Sequence, residues 1–169
     1  MKNTATILFI TLVIAFSNCS TNTERISLTA DISVELPENY RKTDDQSRSG
    51  IISYVVINNL DQISTAVITI DGIDTLSSDQ KKEMMEANAQ GFMKAFNGKQ
   101  ITNSHQVIHG VMQNDFSCEL EKQDSLFAVF GRLIVLETDM LILSYQTPAP
   151  ITKSSMKSKD KFFKSIIIK

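Results

Sequence analysis

Apolar and polar residues alternate strictly near the start of the sequence. From Ile26 to Leu36 every second residue is apolar, and Ser, Thr, Asp and Glu fill the positions between them. A period of two predicts a β-strand with one buried face, which Pro37 should end. Two more strands rich in β-branched residues are predicted at residues 51–57 and 63–70, because turn-forming residues follow each run.

The period changes from that of a strand to that of a helix near residue 78. Apolar side chains then recur three or four residues apart, at Met85, Ala89, Phe92 and Phe96. Ser77 and Gln80 have the spacing of a capping box, and Gly98 stands where a helix C′ residue is expected. These features predict an amphipathic helix over residues 78–97, with one face on the core.

Strands return after this helix, and a second helix closes the chain. Extended segments are predicted at residues 100–110, 111–120, 126–136 and 140–147. The apolar runs in the last two indicate central strands that are covered on both faces. The final helix is predicted over residues 152–166, with Met156, Phe162, Phe163 and Ile166 on one side and Lys153, Lys157, Lys161 and Lys164 nearly opposite. The lysines are interpreted as a solvated face, with an anionic lipid surface or an acidic partner as the alternative.

The predicted order of elements is therefore βββ-α-ββββ-α. Runs of strands interrupted by helices indicate an α+β fold with a mainly antiparallel sheet of about 6–7 strands. The two amphipathic helices are expected to cover either one face of this sheet or its two opposite faces.

Several segments in this order resemble the PsbP-like family. That family includes the extrinsic subunit P of photosystem II, DcrB-type bacterial lipoproteins and a Ran-binding import factor. The segments are LPENY ahead of the strand that begins at Gly50, GVMQNDF, FAVFGRLIVL, ILSYQTPAP and the closing DKFFKSI. The resemblance implies an antiparallel sheet sandwiched by helices, and a role in binding proteins or assisting complexes. It implies no catalytic or ligand-binding residue.

The first 18 residues have the pattern of a secretory signal. Lys2 supplies a positive charge, and residues 5–16 form an apolar run broken only by threonine. The run is shorter than the roughly 20 apolar residues of a membrane span. Residues 16–19, Phe-Ser-Asn-Cys, resemble the lipobox of bacterial lipoproteins. Cys19 is therefore predicted to be the acylated first residue of the mature protein.

Acylation of Cys19 predicts a protein anchored to the cell envelope. Residues 19–25 would then form a polar tether and residues 26–169 a single domain. Ser20 after the cysteine favours, by analogy with lipoprotein sorting, the periplasmic side of the outer membrane. A disulfide with Cys118 is the other use of two cysteines in an exported protein, but a cysteine directly after an apolar signal favours acylation.

A second cleavage site remains open. Ala15-Phe16-Ser17 fits the small-x-small pattern of signal peptidase, and cleavage there would leave Asn18 as the start of a soluble periplasmic or secreted protein.

Composition excludes one class of partner. The chain carries 17 Lys and Arg against 19 Asp and Glu, a formal net charge of −2. A nucleic-acid-binding protein would instead show a basic patch and a high isoelectric point. The six glycines are dispersed and form no phosphate loop, so no cofactor is predicted.

The two histidines, His105 and His109, are candidate metal ligands, with Asp115 or Cys118 as a possible third ligand. On a strand they would share a face but lie about 13 Å apart, too far for one tetrahedral site. No metal site is predicted, and both histidines are interpreted as surface or loop residues. The acidic pairs Asp44-Asp45 and Asp71 with Asp74 are interpreted as turn residues, because they lack the further oxygen ligands of a calcium loop.

Cys118 is a candidate nucleophile beside a histidine. No glycine-rich elbow or nearby cation accompanies it, so it is expected to be a buried small apolar residue. The leading hypothesis is a lipoprotein of the envelope, held to the bilayer through Cys19, that acts as a non-catalytic binding or accessory module. The alternatives are a small enzyme using His109, Cys118 and Asp115, and a carrier of a small apolar ligand between sheet and helix.

Overall fold

The structure is a computed structural model, and it describes residues 22–44, 51–58, 61–95, 97–122 and 125–169. The predicted signal segment 1–18 and Cys19 lie outside these ranges, as do Asp45 and Gly50. In chain order the elements are β1 (Thr23–Ser27), β2 (Ile32–Pro37), β3 (Arg41–Asp44), β4 (Ile51–Asn58), β5 (Asp61–Thr69), α1 (Ser78–Ala95), β6 (Lys99–Ile108), β7 (Val111–Lys122), β8 (Ser125–Val135), β9 (Asp139–Pro148), α2 (Lys153–Lys164) and β10 (Ile167–Ile168). A 3₁₀ turn at Ile73–Thr75 precedes α1.

The described strands form two sheets, and every pair is antiparallel. The large sheet has seven strands in the order β3-β4-β5-β9-β8-β7-β6, and the small sheet has the order β1-β2-β10. The predicted α+β class with a mainly antiparallel sheet is therefore confirmed. The apolar strands β8 and β9 lie inside the large sheet, as their sequences predicted.

The two helices cover opposite faces of the large sheet. On the α1 face, Met85, Ala89 and Met93 pack against a cluster that contains Phe116 and Leu133. On the other face, which we call the α2 face, the small sheet and α2 together cover β4, β5 and β9. There the core contains Val34, Leu36 and Phe162 against Val56, Leu143 and Tyr145. The fold is thus three layers, with the large sheet in the middle.

The predicted capping box begins α1. The Ser77 N–H donates to Gln80 Oε1 at 2.8 Å, and the Gln80 N–H donates to Ser77 Oγ at 3.3 Å. At the other end the left-handed residue is Asn97, with φ 49°, rather than Gly98 as predicted. The Gly98 N–H donates to the Met93 carbonyl and the Asn97 N–H to that of Lys94, which is a Schellman motif with Asn97 at C′.

Gly98 is needed for packing rather than for its backbone angle. A Cβ there would lie 2.4 Å from Leu120 Cδ2 and 3.3 Å from the Glu119 carbonyl oxygen. The predicted helix over residues 78–97 is therefore correct in position, and the described helix ends at Ala95.

The single strand predicted from Ile26 to Leu36 is wrong, because the chain turns between β1 and β2. The Leu28 N–H donates to the Ile32 carbonyl, and Thr29 Oγ1 accepts from the N–H groups of Asp31 and Ile32. The alternation continues through this turn, so the pattern alone does not reveal it. β1 begins at Thr23, which places residues 23–25 of the predicted tether in the small sheet.

Two more strands were not predicted. Arg41–Asp44, for which no strand is predicted, pair with β4 as β3. The second helix was predicted to reach residue 166 but ends at Lys164, and Ile167 and Ile168 then pair with β2 as β10. No helix in the described ranges combines the length and the apolar composition that a membrane span requires.

Candidate binding cleft

A cleft runs between α2 and the uncovered half of the α2 face. The small sheet and α2 lie over β4, β5, β9 and part of β8, whereas the residues of β6 and β7 on this face are mostly polar. The cleft consists of two cavities of about 460 Å³ and 290 Å³ that share Arg132. Their combined size falls in the range of binding pockets for small molecules or short peptide segments. We call this feature the α2 cleft.

Arg132 and Asp115 form the centre of the α2 cleft. They are cross-strand partners on β8 and β7. Arg132 Nε and Nη2 donate to the two oxygens of the Asp115 carboxylate at 2.6 and 2.8 Å, and Gln106 Nε2 also donates to Asp115. The guanidinium carbon lies 5.5 Å from the centroid of the Phe163 ring. These contacts fix the guanidinium in the wall of the cleft, with its side chain 19% exposed.

The larger cavity combines aromatic rings with charges. Lys159 Nζ lies 4.8 Å from the centroid of Phe130 and 2.9 Å from the Asp160 carboxylate. The hydrogen bond from Lys159 lowers the pKa of Asp160 below its ordinary value. Because each carboxylate in this wall has a cation beside it, the exposed Lys164 leaves a surplus of positive charge.

The smaller cavity contains a buried amide with an open acceptor. Gln113 is 1% exposed, and its Oε1 has no hydrogen-bond partner among the described residues. It lines this cavity with Arg132, His109 and the isoleucines that follow α2. A buried carbonyl oxygen without a partner costs about 1–3 kcal/mol, and because this oxygen is enclosed, an incoming donor would reach it only if the lining side chains moved.

A third cavity lies deeper, between β1, β2, β9 and α2. Its volume is about 110 Å³, and Tyr145, Asp61 and Phe162 are among its lining residues. Tyr145 is 1% exposed and its hydroxyl donates to the Asp61 carboxylate. Burial first, and then this hydrogen bond, raise the pKa of Tyr145 above that of an ordinary tyrosine. The cavity has room for a few water molecules but is too small for a drug-sized ligand.

The candidate residues for metal binding and catalysis are distributed over both faces of the sheet. His109 lies in the β6–β7 turn with φ 52°, and Asp115 projects into the α2 cleft. Cys118 projects to the α1 face, is fully buried, and has its pKa raised to about 11 by burial. His105 lies on that same face and its Nε2 is 2.9 Å from Glu86 Oε1 on α1. Among the described residues, no group of three His, Cys, Asp or Glu side chains could hold a metal ion.

Sequence reasoning did not single out Arg132 or Gln113. One signal was available for Arg132, because Asp115 and Arg132 each lie seven residues from the pair Lys122 and Ser125 that closes the β7–β8 hairpin. The predicted strands 111–120 and 126–136 place Asp115 within one residue of a position opposite Arg132, and the observed pair of Lys122 with Ser125 completes that register. No comparable signal marks Gln113, whose burial depends on β10.

Comparison of the sequence with family models and with curated proteins gives no match. The structure, in contrast, superposes on cyanobacterial PsbP (CyanoP) from Synechocystis sp. PCC 6803 with a TM-score of 0.67. The superposition covers 88% of this chain and 94% of that chain at 10% sequence identity. The chain has the PsbP-like fold.

Two other solved structures share parts of this PsbP-like architecture. The Ran-binding protein Mog1p of Saccharomyces cerevisiae matches with a TM-score of 0.51 and 13% identity, over 88% of this chain and 96% of that one. A protein of Bacteroides thetaiotaomicron matches with a TM-score of 0.54 and 9% identity, over 88% of this chain and 49% of that one. At such identities the similarity shows the fold alone.

Proposed function

We propose that this protein is a lipoprotein of the bacterial cell envelope that acts as a non-catalytic binding or accessory module, and that a partner occupies its α2 cleft. The observation that carries the proposal is the cleft itself. Arg132 is held between Asp115 and Phe163, and the exposed Lys164 adds positive charge to the same cleft. A partner segment with a carboxylate would complement these groups.

The PsbP-like fold supports a binding role by analogy. One structural neighbour, Mog1p, is a Ran-binding protein. The enzyme hypothesis with His109, Cys118 and Asp115 has less support, because Cys118 lies on the other side of the sheet from Asp115. The carrier hypothesis with a small apolar ligand has less support too, since the deep cavity of about 110 Å³ has the phenol–carboxylate pair of Tyr145 and Asp61 in its wall.

The anchor and the cleft are tested separately. Incorporation of labelled palmitate into the full chain should be lost in Cys19→Ala, and equal labelling of both would refute the anchor. Cleavage after Ser17 would instead give an unlabelled protein that begins at Asn18.

The cleft is tested by crosslinking and pull-down from the envelope of cells that produce the protein. Arg132→Gln should remove a crosslinked partner that the wild-type chain captures. Thr102→Gln enlarges a side chain in the same cleft without adding a second cation beside Asp115, because Thr102 is exposed on the wall of the cleft. A partner that both variants capture at the wild-type level would contradict binding in the cleft.

A further inference from the structure

The outer surface of α2 is mainly cationic, and Asp160, which is paired with Lys159, lies at its edge. Five of its 12 residues are lysine and one, Asp160, is acidic, although the whole chain has a net charge of −2. Lys153, Lys157, Lys161 and Lys164 are all exposed. At 100° per residue they occupy a sector about 80° wide, and the buried Ser155 and Phe162 lie on the other side of the helix. We call these four residues the lysine face.

The start of the described chain lies beside the lysine face. Thr23 and Lys161 line the same cavity. Two residues after Thr23, the Arg25 guanidinium donates to the carbonyl of Ser165, the residue that follows α2, at 3.1 Å. The Glu35 N–H on β2 donates to Ser165 Oγ at 3.1 Å. These contacts hold the beginning of β1 against the C-terminal end of α2.

This position limits how far Cys19 can lie from the lysine face. Thr23 is the fourth residue after Cys19, and an extended chain of four residue steps spans at most about 14 Å. An acyl anchor on Cys19 would therefore hold the C-terminal end of α2 close to the lipid headgroups. Seen from the start of β1, helix α1 lies on the far side of the small sheet and the large sheet. Packed layers are about 10 Å apart, so α1 is farther from Cys19 than α2 is.

We propose that the lysine face of α2 rests on anionic lipid headgroups of the membrane that holds Cys19. The inference depends on the proposed anchor and adds an orientation to it. Lysines close to an anionic leaflet are attracted to it, each favouring the bound position about fivefold. Ile151, which is 43% exposed just before α2, supplies an apolar side chain at the other end of this face. In this orientation the α2 cleft opens along the membrane surface, with Lys164 at its rim.

The test uses the mature chain, residues 19–169, which contains every described element. Cys19 is coupled to a maleimide lipid in phosphatidylcholine vesicles, with or without phosphatidylglycerol. Coupling is selective, because the other thiol, Cys118, is fully buried. The rate of acetylation of each lysine is then measured by mass spectrometry. The exposed Lys82 and Lys94 on α1 are the matched controls.

We expect Lys157 and Lys161 to react at least about fivefold more slowly on anionic than on neutral vesicles, while Lys82 and Lys94 react equally on both. High salt should abolish the difference, since screening weakens exposed charge interactions. Equal acetylation rates of Lys157 and Lys161 on both vesicles would overturn the proposal and favour a lysine face that is solvated or faces a partner. Protection of Lys82 and Lys94 on anionic vesicles would also overturn it. Failure of the anchor itself would appear separately, as absent palmitate labelling of Cys19 in cells.

Discussion

Gly131 lies directly opposite Phe116 in the β7–β8 pair, and the Phe116 ring occupies the space above it. A Cβ at Gly131 would lie 2.2 Å from Phe116 Cζ and 2.3 Å from Cε1. Carbon atoms in contact are about 3.5–4.0 Å apart, so the ring would have to move by more than about 1 Å. It has little room to do so, because Phe116 is 3% exposed and its ring centroid is 5.8 Å from that of Phe92.

Gly131→Ala should therefore lower the free energy of unfolding by about 2–3 kcal/mol, the upper part of the range for an overpacked core. The measurement is urea unfolding of the mature chain, monitored by circular dichroism. The midpoint should fall while the m-value, the slope of the unfolding free energy against urea concentration, stays unchanged. Gly91→Ala is the matched control, since Gly91 is exposed on α1 and no atom lies within 4 Å of its added Cβ. It should be neutral or stabilise by up to about 1 kcal/mol, because alanine favours the helix.

The double variant Gly131→Ala/Phe116→Leu tests the cause. A smaller side chain at residue 116 should relieve the overlap, so the double variant should lose less stability than the sum of the two single changes. The reasoning is refuted if Gly131→Ala stays within about 0.5 kcal/mol of the wild type, the range of unremarkable surface substitutions.

Three further predictions concern other parts of the fold. Tyr145 loses its proton near pH 10 in the unfolded chain but retains it in the folded protein, because its folded pKa is raised. The free energy of unfolding should therefore fall as the pH rises above about 10. Urea titrations at several pH values should show a smaller fall for Tyr145→Phe. Burial raises the pKa of Cys118 to about 11, so its thiol should react with a disulfide reagent only after unfolding; rapid native labelling would contradict its burial. Ser77→Ala breaks the capping box with Gln80 and should cost about 1 kcal/mol by the same urea assay, whereas an unchanged midpoint would show that the cap contributes nothing.

Local sequence patterns correctly predicted those elements whose defining residues lie close together in the chain. The capping box at Ser77 and Gln80 is such a case, and so are the apolar strands β8 and β9. The alternation from Ile26 to Leu36 predicted the right faces but not the turn. In the β1–β2 register Ile26 lies opposite Val34, so the apolar side chains share one face whether or not the chain turns.

The α2 cleft depends on contacts between residues far apart in the sequence. β10 is only two residues long, and its partner β2 lies more than 130 residues earlier. The position of α2 depends on Ser165, which accepts from Arg25 and donates through its hydroxyl to the Phe162 carbonyl. No local pattern encodes these contacts, so sequence reasoning identified the lysines of α2 but not the cleft beside them.

The central claim, that a partner occupies the α2 cleft, is tested most directly by a photo-crosslinking side chain placed at Thr102 in the full chain and activated in the intact envelope. Thr102 is exposed on the wall of the cleft, and Glu83, exposed on α1 across the sheet, is the control position. We predict a discrete crosslinked product from residue 102 that is absent from residue 83 and lost when Arg132→Gln is added. The same product from both positions, or a product that is unaffected by Arg132→Gln, would contradict the account.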